Sequence, residues 1–291
     1  MALVSGILAP VVFSERCEAA TRYAAALACR FRCELTLLHV FVQPWAAYSS
    51  PEGYATPPPY DHTSTLEQLR ERLNAFMADE LERLPVRRVL EEGDPAQVIA
   101  QYAGSERCGM VVMPTRGYGT FRRFLLGSVT AKVLHDVLVP VITEPHLAAP
   151  NPKESPCFHK ILCAIDLCPE GRGVLEWAAR FAHEFGSEIS VVHALPISAT
   201  RLEGVYFDEY WRTGMAVRAR QEIAALQDGL DVKGEILIQA GDVPGAVRSA
   251  AGITGADLVV AGHGCSHGLL GRLRTNSYGI VRESSCPVAV V

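Results

Sequence analysis

Two glycines frame an arginine-rich segment in residues 114–131, PTRGYGTFRRFLLGSVTA. Gly117 and Gly127 are separated by nine residues, three arginines lie beside or between them, and Ser128 follows directly. A helix N-terminus offers backbone N–H groups without partners and a partial positive charge, and glycine lets the backbone approach a ligand closely. These residues therefore favour a phosphate site. The alternative is that Gly127 and Ser128 only cap the helix predicted over 128–136.

The corresponding segment of the second half, residues 262–279, reads GHGCSHGLLGRLRTNSYG and keeps only part of this pattern. Gly262 and Gly264 remain, whereas Arg274 stands where the later glycine of the pattern belongs. Thr275 is a candidate helix cap and phosphate donor. The guanidinium of Arg274 could attract a phosphate group, or its bulk could fill the place of that group, and the sequence leaves both alternatives open.

Nitrogen and sulfur side chains alternate in the same segment, at His263, Cys265 and His267, and Cys168 lies two residues after Asp166. Zinc prefers such ligands. However, neither the CxxC nor the HExxH spacing of a metal site is present. A metal site is therefore only a minor alternative, and none is predicted.

Five segments recur in the same order in the two halves of the chain, which indicates an internal repeat. The pairs are GILAPVVFS and KILCAIDLC (6–14 and 160–168), CELTLLHVF and SEISVVHAL (33–41 and 187–195), EEGDPAQVI and QAGDVPGAV (91–99 and 239–247), MVVMP and LVVAG (110–114 and 258–262), and LVPVIT and CPVAVV (138–143 and 286–291). The segment AAPNPKESP (148–156) has the composition of a linker. We therefore predict domains over 1–147 and 157–291. His39 and His193 occupy matching positions, where a structural role is expected.

Each repeat has the alternating pattern of an α/β domain. Continuous apolar runs such as ELTLLHVF and EISVVHA predict strands that are covered on both faces, as in a parallel sheet. Apolar stripes between them predict helices, and two such stripes are Ala20, Tyr23, Ala24, Leu27 and Phe31, and Val174, Leu175, Ala178, Phe181 and Phe185. A further helix is predicted over 65–84, and Asp94 and Asp242 are predicted helix caps. This order predicts a doubly wound sheet, which binds ligands at the carboxyl ends of its strands.

The composition excludes several classes of protein. The chain has 291 residues, of which 49% are hydrophobic and 20% charged, as in a compact globular protein. Its net charge of −5 gives no general attraction to nucleic acid. No apolar run is long enough to cross a membrane, and the apolar start lacks the basic region of a signal peptide. Nine scattered cysteines predict reduced thiols and a cytoplasmic location.

Motifs for catalysis are absent from the sequence. It contains no GxSxG elbow, no Walker loop with a lysine and no paired-carboxylate pattern, so the chain is not expected to be an enzyme. Slow ATP hydrolysis stays open, because a bound triphosphate with Mg²⁺ could lie near Ser128 or Thr275.

The glycine loop and the closing strands LVPVIT and CPVAVV resemble those of the universal stress proteins, and the whole chain resembles a tandem member. The family pattern is Gly-x-x-Gly, nine residues, then Gly-Ser or Gly-Thr, and in the first repeat only Pro114 departs from it. The resemblance implies two doubly wound five-stranded parallel sheets of order 3-2-1-4-5, similar to the adenine-nucleotide alpha-hydrolases and related by a pseudo-twofold axis. It also implies binding of ATP, AMP or another adenine nucleotide, dimerisation, and a role in stress tolerance.

Neither repeat matches the family pattern in full. In the family, an Asp at the end of the first strand contacts the adenosine, and the first repeat has Val12 there whereas the second has Asp166. Loss of such an acceptor removes a contact worth about 1–3 kcal/mol. The first repeat thus keeps the phosphate half of a site and the second keeps the adenosine half. The implied nucleotide contacts are Asp166, Ala194, Gly262, His263, Gly264, Arg274, Thr275 and Asn276 in the second repeat and Val40, Met113, Arg116, Gly117, Gly127, Ser128 and Val129 in the first.

Two functions from different classes fit these observations. The favoured one is a cytoplasmic stress-response sensor or regulatory module, in which a nucleotide bound to the second repeat changes the loops that a protein partner contacts. The alternative is a nucleotide-free interaction protein with two vestigial pockets. The aromatic loops over 43–62 and 202–212 could serve as a partner surface or pack on their own domain. A homodimer is one expected assembly, without nucleic acid or membrane as partner.

Overall fold

The structure, a computed structural model, describes residues 3–43, 61–105, 108–115, 126–144, 158–195, 201–202, 205–206, 209–230, 232–264 and 275–291. Strands and helices alternate through these residues. In chain order they are β1 (Gly6–Pro10), α1 (Glu15–Phe31), β2 (Glu34–Phe41), α2 (His62–Ala75), β3 (Val86–Glu92), α3 (Pro95–Ala103), β4 (Met110–Pro114), α4 (Ser128–Asp136), β5 (Val141–Glu144), β6 (Lys160–Ala164), α5 (Gly171–Phe185), β7 (Glu188–Leu195), β8 (Arg201–Leu202), β9 (Val205–Tyr206), α6 (Glu209–Gly229), β10 (Gly234–Ala240), α7 (Val243–Thr254), β11 (Leu258–Ala261), α8 (Thr275–Glu283) and β12 (Val288–Val290).

The chain forms two compact units, and the first contains β1 to β4 with α1 to α4. Strand β1 is parallel to both β2 and β4, and β3 is parallel to β2. The strand order of the first repeat is 3-2-1-4-5. The predicted doubly wound α/β fold is therefore confirmed, and the apolar strand runs lie in the buried core as expected.

The second unit repeats this arrangement with β6, β7, β10, β11 and β12. These five strands are parallel and lie in the order β10-β7-β6-β11-β12. Strand β5 also belongs to this unit, where it pairs antiparallel with β12, and Thr143 Oγ1 donates a hydrogen bond to the Val288 carbonyl oxygen. The predicted domain limits and the pseudo-twofold axis stay predictions.

The helix predicted over 65–84 is shorter in the structure, where α2 ends at Ala75. Arg88 on β3 donates hydrogen bonds to the carbonyl oxygens of Leu73 and Phe76, which satisfies groups that the end of a helix leaves without partners. Met77 then adopts a positive φ of 51° and turns the chain away from the helix axis. The amphipathic pattern continues past this point, so the sequence overestimated the length of the helix.

Two of the three predicted N-cap residues cap their helices in the structure, and one does not. Asp94 accepts a hydrogen bond from the backbone N–H of Gln97, and Asp242 accepts one from Gly245, as predicted. At α4, however, Gly127 is the N-cap, Ser128 is the first helical residue, and no side chain caps the helix. The predicted capping role of Ser128 is therefore wrong.

The aromatic segment 202–212 was predicted as a loop, but part of it has regular structure. Strands β8 and β9 form a small antiparallel pair, and α6 begins at Glu209. The corresponding segment of the first repeat, 43–62, lies mostly outside the described residues. None of the helices in the described part of the chain is long and apolar enough to span a membrane.

A cluster of aromatic rings holds α5 against the start of β6. Phe181 has no exposed surface, and its ring stacks on those of Trp177 and Phe185 at centroid distances of 4.9 and 4.8 Å. Phe158 contacts Phe181 edge to face at 5.3 Å. Aromatic pairs of this kind add stability beyond that of their buried area. The cluster therefore fixes the position of α5, the helix into which the loop after β6 leads.

Replacement of Phe181 by alanine should destabilise the second unit by about 3–5 kcal/mol, because it removes a fully buried ring and leaves a cavity. Urea denaturation followed by circular dichroism measures this loss. The control is Ile253→Ala on α7, since Ile253 is 63% exposed and its loss should change stability by no more than about 0.5 kcal/mol. Equal effects of the two substitutions would contradict the central role of the cluster.

Candidate functional site: a pocket at the carboxyl edge of the second sheet

Parallel pairing brings the carboxyl ends of three strands of the second unit to one edge. Ala164 at the end of β6 pairs with Val192 on β7 and with Ala261 on β11. Asp166, Ala194 and Gly262 lie just beyond these three residues. The sequence predicted all three as nucleotide contacts, and the structure places them at the same edge, where doubly wound sheets bind ligands.

These residues line a pocket with an empty volume of about 580 Å³, which includes the open solvent at its mouth. The described lining residues are Ala164, Ile165, Asp166, Val174, Val192, His193, Ala194, Val243, Val247, Ala261, Gly262, Gly264, Asn276, Ser277 and Ile280. Apolar side chains predominate, and a few polar groups stand among them. His263 was predicted as a contact but is not one of these lining residues.

Asp166 supplies the negative charge of the pocket. Burial raises the pKa of its carboxyl group, and the nearby Glu170 raises it further, whereas the backbone N–H groups of Asp166 and Cys168 and the neighbouring His193 act in the opposite direction. The loop that carries Asp166 turns tightly into α5. A Cβ atom at Gly171 would collide with the Asp166 carbonyl oxygen, so this position requires glycine.

His193 has a defined tautomer because of its hydrogen bond. Its Nδ1 atom lies 3.0 Å from the Ile165 carbonyl oxygen, which can only accept, so Nδ1 carries the hydrogen. In the neutral ring Nε2 is then an acceptor. His39 makes the same bond to Val11 at 2.8 Å, and burial lowers the pKa of His39. The predicted structural role of both histidines is confirmed, and His193 in addition lines the pocket.

Glycine is required at the start of the loop after β11. A Cβ atom at Gly262 would lie 2.8 Å from Cγ2 of Val174, which is closer than real side chains come. Gly264 has a φ of +87°, a backbone conformation that favours glycine. Arg274 lies outside the described residues, so its two alternatives stay open.

The N-terminus of α8 borders the same pocket through Asn276 and Ser277. The helix starts at Thr275 and has nine residues, so its first backbone N–H groups lack intrahelical partners. Such a helix end favours an anionic group. The pocket therefore combines a carboxylate at the end of β6 with a helix N-terminus that favours an anion.

Several lining residues were not predicted from the sequence. Val243 and Val247 come from α7, and Ile280 comes from α8. Their apolar spacing was visible in the sequence, but only the packing of the two helices shows that they reach the pocket. Gly279 on α8 allows this close packing, since a Cβ atom there would collide with Pro244 on α7.

The matching edge of the first unit has different side chains. The bonds of His39 to Val11 and of His193 to Ile165 show that Val12 is the counterpart of Asp166. The ring of the next residue, Phe13, contacts the His39 ring in a tilted arrangement, with a centroid distance of 4.5 Å and an interplanar angle of 41°. The Arg72 guanidinium lies over the Phe13 ring, 4.4 Å from its centroid. Phe13 has a positive φ of 54°, which is uncommon for an aromatic residue.

The structure describes five of the seven nucleotide contacts that were predicted in the first repeat. Val40 lies near the end of β2, and Met113 near the end of β4 is only 4% exposed. Gly127, Ser128 and Val129 form the start of α4. Arg116 and Gly117 lie outside the described residues. The structure thus provides a helix N-terminus in the first repeat but no carboxylate at the position of Asp166.

Cysteine chemistry differs from the sequence-based expectation at one position. The chain was predicted to contain reduced thiols, but Cys168 is disulfide-bonded. The six other described cysteines are free. As for metals, no group of three His, Cys, Asp or Glu side chains suited to an ion is found among the described residues, which do not include Cys265 and His267.

The family model described as the universal stress protein family matches residues 5–143 and 158–291. A universal stress protein from Archaeoglobus fulgidus DSM 4304 has 21% identity and a TM-score of 0.68, and the match covers 99% of this chain and 96% of that chain. A putative universal stress protein from Pseudomonas aeruginosa UCBPP-PA14 has 18% identity and a TM-score of 0.63, with 99% and 93% covered. A universal stress protein solved in complex with cAMP matches 47% of this chain and 98% of its own, at 15% identity and a TM-score of 0.36. No curated protein sequence matches this chain significantly.

The chain therefore belongs to the universal stress protein family, with two family domains in tandem. The resemblance inferred from the glycine loop and the internal repeat is confirmed. The two structures that match over the full length are less than 25% identical to this chain, so their similarity concerns the fold alone.

Replacement of Asp166 by asparagine should stabilise the ligand-free protein at neutral pH. The folded-state pKa of Asp166 lies above its ordinary value of 3.8, so the charged carboxylate costs stability as the pH rises from 3.8 through the raised pKa. Below pH 3.8 both states are protonated and this cost disappears. The unfolding temperature of Asp166→Asn should thus exceed that of the wild type at pH 7 and approach it near pH 3. A difference that is the same at both pH values would contradict this explanation.

Proposed function

We propose that the second repeat binds an adenine nucleotide, with ATP as the leading candidate, and that this binding serves a regulatory role in stress response. The observation that carries the proposal is that Asp166 and the N-terminus of α8 line one pocket. A nucleotide needs both kinds of group, since its ribose and base offer hydrogen-bond donors and its phosphates are anions.

The ribose and base have suitable partners on the strand side of the pocket. The carboxylate of Asp166 can accept hydrogen bonds from ribose hydroxyls, and Nε2 of neutral His193 can accept one from an amino group. Ile165, Val174 and Val192 offer apolar surface for a planar base. A mostly apolar lining with a few polar groups is typical of small-molecule sites.

The phosphates have suitable partners on the helix side. Asn276 and Ser277 in the first turn of α8 line the pocket, where the N-terminus of a helix favours an anion, and Gly262 and Gly264 let the backbone approach a ligand. We further propose that Arg274 and Thr275 contact the phosphates, and that Mg²⁺ accompanies a bound triphosphate. Phosphate release assays with ATP test the accompanying proposal that the protein binds nucleotide without a catalytic role.

The first repeat is not proposed as an equivalent site. Val12 provides no acceptor for a ribose, and Phe13 covers the histidine that corresponds to His193. The residue that corresponds to Phe13 is Leu167, which is 37% exposed. A phosphate-bearing group at the N-terminus of α4 is the most that the first repeat would bind.

The regulatory role completes the proposal. A nucleotide bound in the second pocket would change the conformation of the loops that a protein partner contacts. We propose that the protein is cytoplasmic and homodimeric. The alternative is a nucleotide-free interaction protein. The contact of Phe13 with His39 supports this alternative for the first repeat. It would apply to the whole chain if the second pocket bound no nucleotide.

Thermal unfolding with ATP, ADP and AMP tests nucleotide binding directly. A ligand at one hundred times its Kd stabilises the folded state by about 2.7 kcal/mol, which should raise the unfolding temperature by several degrees. Asp166→Ala should lose most of this shift, because it removes the acceptor for the ribose. The matched control is Asp228→Ala near the end of α6, which removes an exposed carboxylate elsewhere and should keep the shift.

Two results would count against the proposed site. The absence of a shift at millimolar nucleotide in the wild type would favour the nucleotide-free alternative. A shift of unchanged size in Asp166→Ala would place the nucleotide elsewhere in the chain.

A further inference from the structure

Each unit has an outer strand that pairs with a single neighbour among the described strands. In the first unit this strand is β3, which pairs with β2, and in the second it is β10, which pairs with β7. The free side of an outer strand presents a row of backbone N–H and C=O groups with which another chain can pair. Both outer strands are therefore candidate surfaces for association, and their surroundings distinguish them.

Side chains of α6 occupy part of the backbone of β10. Arg220 Nη1 donates a hydrogen bond to the Ile236 carbonyl oxygen at 2.8 Å, and Gln227 Nε2 donates one to the Gly234 carbonyl oxygen at 3.2 Å. A second strand would need acceptors of this kind. Because the chain's own side chains already use them, β10 is the less suitable of the two outer strands.

The backbone of β3 is open on its outer side. The Leu35 N–H donates to the Pro85 carbonyl oxygen and the Gly93 N–H donates to the Phe41 carbonyl oxygen, so the odd-numbered residues of this segment face β2. The even-numbered residues point their N–H and C=O groups outwards, and these are Val86, Arg88, Leu90 and Glu92. Within the described ranges, these outward backbone groups have no hydrogen-bond partner.

Apolar surface accompanies this open edge. Val86, Val89 and Leu90 on β3 are each only partly buried. Helix α2 packs beside β3, and two leucines of its apolar stripe, Leu66 and Leu69, are also partly exposed. Burial of such side chains against a partner would stabilise an association that backbone pairing alone would leave weak.

The charges of β3 fit a second copy of the same strand. A twofold axis joins two identical edges in antiparallel fashion, and the outward-pointing residues must then lie opposite each other. Pairing about Val89 meets this condition. It places Arg87 opposite Glu91 of the second copy, and Glu91 opposite Arg87 of that copy. Opposite charges at such positions stabilise a pair of strands.

Both charged groups are suited to this pairing. Glu91 is exposed, and none of the ion pairs between described residues includes it. Arg87 has a long ion pair with Glu34, at 3.6 Å, and a hydrogen bond of 3.5 Å to the Tyr102 hydroxyl. A carboxylate from a second copy would therefore complement a guanidinium that has only weak partners in its own chain.

Neighbouring registers with the same outward residues are less favourable. Pairing about Arg88 sets two arginine side chains opposite each other, and like charges at such positions destabilise. Pairing about Leu90 sets Arg88 opposite Glu92, but both side chains are already bound within the chain. Arg88 donates to carbonyl oxygens at the end of α2, and Glu92 lies 2.9 Å from His62 Nε2.

We propose that β3 pairs antiparallel with β3 of a second copy of this chain, about a twofold axis at Val89. The pairing places both copies of α2 on the same face of the joined strands, where Leu66 and Leu69 become more buried. Strand β12 is not available for this purpose, because it already lies between β11 and β5. The pairing gives a surface to the homodimer proposed above, and it does not depend on the nucleotide site.

Sedimentation equilibrium of the full chain at micromolar concentrations tests the pairing. The wild type should have twice the mass of one chain. Leu90→Pro should be monomeric, because it removes an outward N–H and places ring atoms in the path of the second strand, while the hydrogen bonds to β2 remain. The matched control Leu90→Ala keeps the N–H and should remain dimeric. A monomeric wild type would overturn both the pairing and the proposed homodimer, whereas a dimeric Leu90→Pro would overturn the pairing alone.

Charge reversal tests the register in variants that leave the backbone unchanged. Glu91→Arg should raise the dissociation constant of the dimer about tenfold, because two like-charged pairs replace two opposite-charged pairs. Addition of Arg87→Glu to this variant restores opposite charges and should recover most of the affinity. The control Glu235→Arg makes the same change at an exposed carboxylate on β10 and should leave the dissociation constant unchanged. An unchanged constant in Glu91→Arg, or no recovery in the double variant, would overturn the proposal.

Discussion

A pair of hydrogen bonds beyond the end of β6 determines the position of the residue on which the pocket depends. The backbone N–H of Ile165 donates to the Val192 carbonyl oxygen at 3.1 Å, and the Nδ1–H of His193 donates to the Ile165 carbonyl oxygen. Ile165 is thereby held against β7, and the next residue, Asp166, must leave the sheet at its carboxyl edge. Parallel pairing with β11 brings Gly262 to the same edge.

The first repeat has the same pair of bonds and a different outcome. Val11 donates to the Leu38 carbonyl oxygen and accepts from His39, so the backbone is held in the same way. The side chains that follow are Val12 and Phe13, and Phe13 packs on His39 and beneath Arg72. The fold therefore provides the same edge twice, and the identity of two side chains decides whether a charged pocket or an aromatic cluster forms there.

The sequence predicted the features that depend on local patterns. The internal repeat, the strand order and the caps at Asp94 and Asp242 followed from apolar runs, from the family resemblance and from residue types at helix starts. The family resemblance also implied that Asp166, Ala194 and Gly262 belong to one site, and the carboxyl ends of parallel strands do share an edge. These features require little knowledge of how distant side chains pack.

The features that the sequence did not predict depend on tertiary contacts. Helix α2 ends early because Arg88, from the next strand, satisfies its last carbonyl groups. Val243 and Val247 reach the pocket only because α7 packs closely against α8. The disulfide at Cys168 was missed because the spacing of cysteines along the chain does not show which of them are close in space.

The stoichiometry of nucleotide binding is the most direct test of the proposal that the second repeat, and not the first, binds a nucleotide. Isothermal titration calorimetry of the full chain with ATP measures it. The structure predicts one molecule of ATP per chain, bound in the pocket of Asp166. Two molecules per chain with similar affinity, or a single molecule whose binding survives the loss of the Asp166 carboxylate, would contradict this account.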